Sequence, residues 1–300
     1  MSNNDSGWYN DARKQFAEVK DLSKAAEIVW GKNREWHGFY QHYTTLSSVV
    51  AKLALGQWWL SRSDSDSLND KQESLKFGKR SDYARTYQAS FVHGGAESAA
   101  LWGLYVPEDP FAVRITIPGS AIQEWVKSLA NAEIRTEQAK FKIESVDFRD
   151  IIYAAVGFRD KRRTRLDVTR NNSLYWSEVN SQSNIPNLEY DIKNEKCSTW
   201  MKDYEWRHER ESRLCVRVEK VHGAKAMWVP VGDELIRSMK FTFSPWLDQA
   251  CESEVERVLK DTLIARFGKE KASQFLNSKT FRRSVLQGAL NLRYGRCKGR

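Results

Sequence analysis

Apolar residues along this chain repeat with two periods, and the switches between them mark out most of its elements. Phe16, Val19, Leu22, Ala25 and Ile28 recur at three-residue steps until Gly31, which predicts a helix over 11–31. Phe39-Tyr40-Gln41-His42-Tyr43 reads as a short strand. Thr45 is placed to cap a helix carrying Leu46, Val49, Val50 and Leu53 and ended by Gly56, and Gln57-Trp58-Trp59-Leu60-Ser61 returns as a strand. The Ser- and Asp-rich stretch from Arg62 to Lys71 predicts an exposed turn. Further on, the pattern predicts strands at Tyr87–Val92, Phe111–Ile117, Phe141–Phe148 and Ile151–Phe158. Between them it predicts helices at Glu97–Tyr105 and at Ser120–Ala132, the latter with Ile122, Trp125, Val126 and Leu129 on one face.

Beyond residue 158 the periodicity fades. Residues 171–190 are rich in Asn, Ser and Gln, so 159–195 reads as an insertion. Lys196 to Glu205 is expected to be helical and to lead into the alternation Leu214-Cys215-Val216-Arg217-Val218. Strands follow at Ala226–Val231 and Met239–Trp246. From Leu247 the chain reads as helical, with Val255, Leu259, Leu263 and Ile264 as a stripe and a last helix starting at Phe281, Val285 and Leu286. The expected organisation is a helical segment over 1–35, an α+β domain over 36–246 with the insertion at 159–195, and a helical extension over 247–300 ending in a basic tail. The fold class is α+β, with mixed, mostly antiparallel central sheets and flanking helices.

The charge balance narrows the partners. A net charge of +9 and a pI near 9.3 favour anionic ones, nucleic acid or a dinucleotide. The compact run Arg159, Lys161, Arg162, Arg163 and Arg165 is the candidate nucleic-acid contact. Twelve Trp, 13 Phe and 11 Tyr are an unusual aromatic load; most are expected in the core, and their flat faces also suit stacking on bases or nicotinamide. Cys197, Cys215, Cys251 and Cys297 are too dispersed for paired zinc ligands, so no metal is expected. The N-terminus has no apolar signal core and no run of about 18 apolar residues occurs, so a cytoplasmic protein without a membrane partner is expected. The chain has no GxxxxGK[ST], no GxGxxG after a strand, no HExxH and no GxSxG. Triphosphatase, doubly wound dehydrogenase, zinc protease and α/β-hydrolase readings are therefore unsupported.

The richest candidate chemistry lies in Trp206-Arg207-His208-Glu209-Arg210-Glu211-Ser212-Arg213-Leu214. Read as extended chain, it sets Glu209, Glu211 and Arg213 on one face and Leu214, Val216 and Val218 on the other. A charged ledge rooted on a core strand can fix carboxylates for catalysis; the same residues also suit a solvated strand face or an intrahelical Glu209–Arg213 pair.

Four segments taken in order resemble the bacterial family described as domain of unknown function 2971. They are His42-Tyr43-Thr44-Thr45-Leu46 with Trp59-Leu60-Ser61 and Asn69-Asp70; Ser90-Phe91 with Leu101-Trp102-Gly103-Leu104-Tyr105; Trp206-x-His208-Glu209-x-Glu211-Ser212-Arg213-Leu214; and Phe243-Ser244-Pro245-Trp246 with Arg283-Ser284-Val285-Leu286. That family's outline is in turn similar to that of the ADP-ribosyltransferases. There, a strand bearing His or Arg feeds a helix ended by Gly, a second strand carries Ser, an aromatic follows, and a late Glu, often in Glu-x-Glu, begins a strand. His42, Gly56, Ser61, Tyr105 and Glu211 fall in that order. The resemblance implies an ADP-ribosyltransferase-like fold and an enzyme that uses NAD to modify a nucleic acid or protein, as a toxin or phage-defence effector. It also implies an antitoxin or another defence-system protein as partner. Glu211 would stabilise the oxocarbenium-like state, Glu209 would act on the acceptor, and His42 would hold the adenosine-side ribose. Tyr105 or Trp102 would stack on nicotinamide, with Ser61 and Arg213 completing the cofactor site. The alternative is a non-catalytic nucleic-acid-binding or sensing module of a defence system.

Overall fold

The computed structural model describes residues 38–65, 83–132, 134–135, 140–156, 164–167, 169–170, 173–174, 198–277 and 279–287. The helix expected over 11–31 lies outside these residues, as does most of the insertion. In chain order the strands are β1 (Phe39–Thr44), β2 (Gln57–Arg62), β3 (Thr86–His93), β4 (Val113–Pro118), β5 (Ile134–Arg135), β6 (Lys140–Phe141), β7 (Ile143–Asp150) and β8 (Ile152–Val156). They continue as β9 (Thr164–Asp167), β10 (Thr169–Arg170), β11 (Ser173–Leu174), β12 (Met201–Asp203), β13 (Glu211–Val218), β14 (Ala226–Pro230), β15 (Lys240–Phe243) and β16 (Phe281–Arg282). The helices are α1 (Leu46–Leu55), α2 (Ala99–Tyr105), α3 (Gly119–Ala130), α4 (Asp233–Ser238), α5 (Gln249–Phe267) and α6 (Lys269–Phe275). The protein is α+β, with mixed, mostly antiparallel strand pairing and several helices. No helix among the described residues is long and apolar enough to cross a membrane.

Contacts divide the chain into two compact units, each assembled from three stretches. The first comprises Met1–Tyr40, Trp58–Gly94 and Gly119–Pro230; the second comprises Gln41–Gln57, Gly95–Pro118 and Val231–Arg300.

The first unit is organised around β13. This strand pairs antiparallel with β3 on one side and β7 on the other, so Leu214 lies opposite both Ala89 and Phe148. A strand flanked on both edges has its backbone groups satisfied, and what it needs from its sequence is cover for two faces. One face follows the alternation: Leu214, Val216 and Val218 are fully buried. An aromatic stack builds the core there and at the adjoining helix. Trp58 lies 5.4 Å from both Phe91 and Trp125, and the indole of Trp125, on α3, donates to the Pro230 carbonyl at 2.8 Å. Burying side chains of this size is worth about 1.5–3 kcal/mol each. The face of α3 read from its spacing is the buried one, through Ile122, Trp125, Val126 and Leu129. The segment expected to be helical at 196–205 folds otherwise. It is a 3-10 turn (Ser198–Trp200), then β12, then a second 3-10 turn (Tyr204–Glu209), because β12 is recruited as a parallel neighbour of β8. Tertiary pairing here overrides local helix preference.

In the second unit β15 runs antiparallel to β4 and parallel to β16, which pairs Phe241 with Phe281. The last helix expected from Phe281 is therefore absent at its predicted start. Phe281 instead stacks on Phe241 and Phe243 at 5.6 and 6.4 Å, so the aromatic ring is spent on a sheet edge. Helix α1 begins and ends as its sequence predicts. The Thr45 side chain accepts from the Ser48 N–H, and Gly56 closes the helix at φ 62°, its N–H donating to the Lys52 carbonyl. Arg266, in the last turn of α5, bonds the Leu53 carbonyl at 3.4 Å and Asp233 at 2.8 Å, tying α5 to the end of α1 and the start of α4.

Candidate active site

The face of β13 opposite the aliphatic one carries Glu211 and Arg213, and it is buried rather than solvated: Glu211 is 2% exposed and Arg213 1%. The two side chains sit on one face because they are two residues apart, and they form a forked pair. Arg213 Nε meets Glu211 Oε1 at 2.6 Å, and a terminal nitrogen meets Oε2 at 3.0 Å. A second terminal nitrogen of Arg213 donates to the Thr199 carbonyl at 2.9 Å, fixing the guanidinium from behind.

Glu209 is not on the strand. It ends the 3-10 turn, and Arg210 between the two carboxylates takes φ 48°, the left-handed region that non-glycine residues enter rarely. The Arg210 carbonyl is held by the His93 N–H at 3.0 Å, and its own N–H donates to the Arg207 carbonyl at 3.3 Å. This reversal turns Glu209 back towards Glu211. Both carboxylates then converge on one ammonium: Lys202 Nζ lies 2.5 Å from Glu209 Oε2 and 3.2 Å from Glu211 Oε2. Lys202 arrives by non-local pairing. Its strand β12 runs beside β8 in a register that sets Lys202 next to Tyr153, whose phenol oxygen accepts from the Glu211 N–H at 2.7 Å. The Lys202 ammonium also lies 4.6 Å from the Trp206 ring centre. From the other side, Ser90 on β3 pairs in register with Arg213 and donates to Glu211 Oε1 at 2.5 Å.

The two carboxyls are driven apart electrostatically. For Glu211 burial works against the charge, but Arg213 and Lys202, with hydrogen bonds from Arg213 and Ser90, outweigh it and hold the group well below the usual carboxylate range. For Glu209 burial and the neighbouring Glu211 charge prevail over Lys202, and its pKa is pushed up to about 7. Its Oε1 is buried and has no hydrogen-bond partner. The Tyr153 phenol is pushed well above its ordinary value by burial and by Glu211, so it stays neutral. The arrangement thus combines a permanently ionised carboxylate, preorganised by four donors, with a second carboxyl able to exchange a proton near neutral pH. Among the described residues no group of three or more His, Cys, Asp or Glu could hold a metal ion.

Glu209, Glu211 and Arg213 are brought together, and the residues that complete their surroundings, Lys202, Ser90 and Tyr153, were not among the expected site residues. Ser61 lies elsewhere in the first unit and accepts from the indole of Trp59 at 3.2 Å; the strand serine that reaches Glu211 is Ser90. His42, Trp102 and Tyr105 belong to the second unit. Trp102 is fully buried there, donating to Glu97 at 2.9 Å and standing edge-on to Tyr43 at 4.9 Å. Tyr105, half-buried, lies parallel to Tyr43 at 6.3 Å. His42 follows Gln41 on β1 and is half-buried, and by strand alternation it faces away from Tyr43. Trp102 is a core side chain, and neither of its faces is open to a ligand in this conformation. Arg159, Lys161, Arg162 and Arg163 lie outside the described residues, and Arg165 is described only as a backbone position of β9.

No protein-family model, no curated protein and no solved structure matches this chain.

Proposed function

We propose that the chain is an ADP-ribosyltransferase-like enzyme that uses NAD to modify a nucleic acid or a protein, with the Glu209–Glu211 pair as its catalytic centre. One observation carries the reading: two buried carboxyls separated by a single residue converge on one ammonium, and a strand serine donates to the second of them. This is the Glu-x-Glu and serine combination that the resemblance implies, with Ser90 in the serine's role. In the reaction the bond between ribose C1 and the nicotinamide nitrogen breaks, and the electron pair leaves with neutral nicotinamide. The acceptor oxygen or nitrogen bonds to C1, and its proton passes to Glu209, which is half-ionised near pH 7. Glu211, held ionised by Arg213 and Lys202, stabilises the positive charge that builds on the sugar. The toxin or defence role, an antitoxin-like partner and a nucleic-acid acceptor belong to the same proposal, with the net charge of +9 as support for an anionic acceptor.

The test is nicotinamide release from NAD, followed by chromatography, with and without nucleic acid. Turnover is expected, and Glu211→Gln should lower it by about 100-fold or more, as loss of a group acting directly on transition-state charge does. Full activity in Glu211→Gln would refute the assignment, and no nicotinamide release under any acceptor condition would refute the reaction.

A further inference from the structure

A second buried charge, in the second unit, lacks the compensation that the first unit gives its own. Arg114 on β4 is 8% exposed, and its guanidinium is positively charged at every physiological pH. Gln41 Oε1 at 3.2 Å and Thr242 Oγ1 at 2.9 Å accept from it, Thr242 being its cross-strand neighbour on β15, and the neutral Tyr43 hydroxyl also lies within hydrogen-bonding reach of the guanidinium. Gln41, itself fully buried, has both lone pairs of its side-chain oxygen in use. Its carbonyl oxygen also takes the Tyr43 hydroxyl at 3.0 Å, and its amide donates to the Ala96 carbonyl at 3.0 Å. The Arg114 Nε–H is buried without a partner, and among the described residues no carboxylate lies within ion-pair distance of the guanidinium. The nearby acid, Glu97, is committed elsewhere, to the Trp102 indole, the Ser284 hydroxyl and the Val285 N–H.

A guanidinium taken out of water is expected to have a counter-charge as well as hydrogen bonds. Arg213 shows how this protein meets that requirement when the partner is internal: a forked carboxylate and a backbone carbonyl. Arg114 has the neutral half of such a site, and its buried, unpartnered Nε–H is one of the two donors that, with a terminal nitrogen, take an oxyanion through parallel hydrogen bonds. We propose that Arg114, oriented by Gln41 and Thr242, anchors an oxyanion-binding site in the second unit, and that a phosphoryl or carboxylate group of a ligand supplies the missing negative charge. The proposal does not depend on NAD chemistry at the Glu209–Glu211 pair.

The experiment titrates the full chain with sodium pyrophosphate in one arm and sodium succinate in the other, at constant ionic strength held with sodium chloride. It follows the melting temperature and the arginine Nε–H resonances. One anion is expected to raise the melting temperature saturably and to shift a single Nε–H resonance, and the arm that responds identifies a phosphoryl or a carboxylate ligand. Arg114→Lys keeps the charge but loses the fork, so that resonance should vanish and the apparent affinity should fall by at least about tenfold. Arg266→Lys, at an arginine of the same unit that bonds Asp233 instead, should still give the saturable response, and Arg114→Lys should keep a cooperative melt without added anion, which guards against a folding defect. No response in either arm, a response of the native chain that chloride reproduces, or one unchanged in Arg114→Lys, would overturn the site.

Discussion

The sharpest consequence of the buried quartet is a pH-dependent stability that one neutral substitution removes. Glu209 has a pKa of about 7 in the folded chain against an ordinary value of 4.5. A carboxyl whose pKa is raised on folding binds its proton more tightly in the native state. Its contribution is therefore complete below pH 4.5 and is lost as pH rises to about 7, above which the native state holds an ionised, buried group next to Glu211. Each pH unit in that window costs about 1.4 kcal/mol, which sums to about 3 kcal/mol across it. Glu211, whose pKa moves the other way, acts on the acid side of the same ordinary value, so the two windows do not overlap. Glu209→Gln imitates the protonated carboxyl at every pH. We expect the variant to exceed the native chain's stability by about 1 kcal/mol at pH 5 and by about 3 kcal/mol at pH 8. Urea unfolding followed by tryptophan fluorescence at pH 5, 6, 7 and 8 measures this, and histidine titration cancels in the difference between the two chains. A difference that stays constant over that range, or that favours the native chain at high pH, would refute the electrostatic account of the pair.

Two further outcomes follow from other contacts. Arg213→Met leaves the Glu211 carboxylate buried with Lys202 and Ser90 alone, and should cost about 3–5 kcal/mol at pH 7 by urea unfolding. Adding Glu211→Gln should recover part of that loss, and an additive double variant would mean the two residues do not interact. Gly56→Ala forces a side chain into φ 62° and brings its Cβ to 2.6 Å from a terminal nitrogen of Arg266. It should cost about 1–2 kcal/mol and lower the melting temperature, since the left-handed conformation is unfavourable for alanine and Arg266 would have to leave Asp233 or the α1 carbonyls. An unchanged melting temperature would refute this.

The elements that local pattern names correctly are those whose ends carry their own stop signals. Helix α1 has a threonine that accepts at its first turn and a glycine that turns left at its last, and both roles depend on residues within a few positions. Helix α3 buries the four residues that its spacing selects. The misread segments were decided by distant chain. Phe281 reads as the apolar start of a helix until Phe241 and Phe243 are beside it, and residues 201–203 read as helix until β8 offers them an edge. Propensity differences between helix and strand are small enough for one such partner to reverse them.

The site shows the same division more sharply, because its chemistry depends on burial, which spacing does not encode. The two-residue step from Glu211 to Arg213 was enough to put them on one face, and the ion pair between them follows from that alone. On a solvated face, however, the pair would be screened and neither carboxyl would depart far from its ordinary behaviour. Three non-local facts change this: β13 is flanked on both edges, β12 delivers Lys202 to both carboxylates, and Arg210 reverses the chain so that Glu209 points inward rather than along the strand. Had residues 209–213 been one continuous strand, Glu209 would have lain a full strand repeat from Glu211 on the same ledge. The left-handed turn instead lets one ammonium touch both, and the shared cation in a dry setting ionises one carboxyl while leaving the other poised near neutrality. The left-handed residue between the two acids is therefore as much a part of the proposed chemistry as the acids themselves.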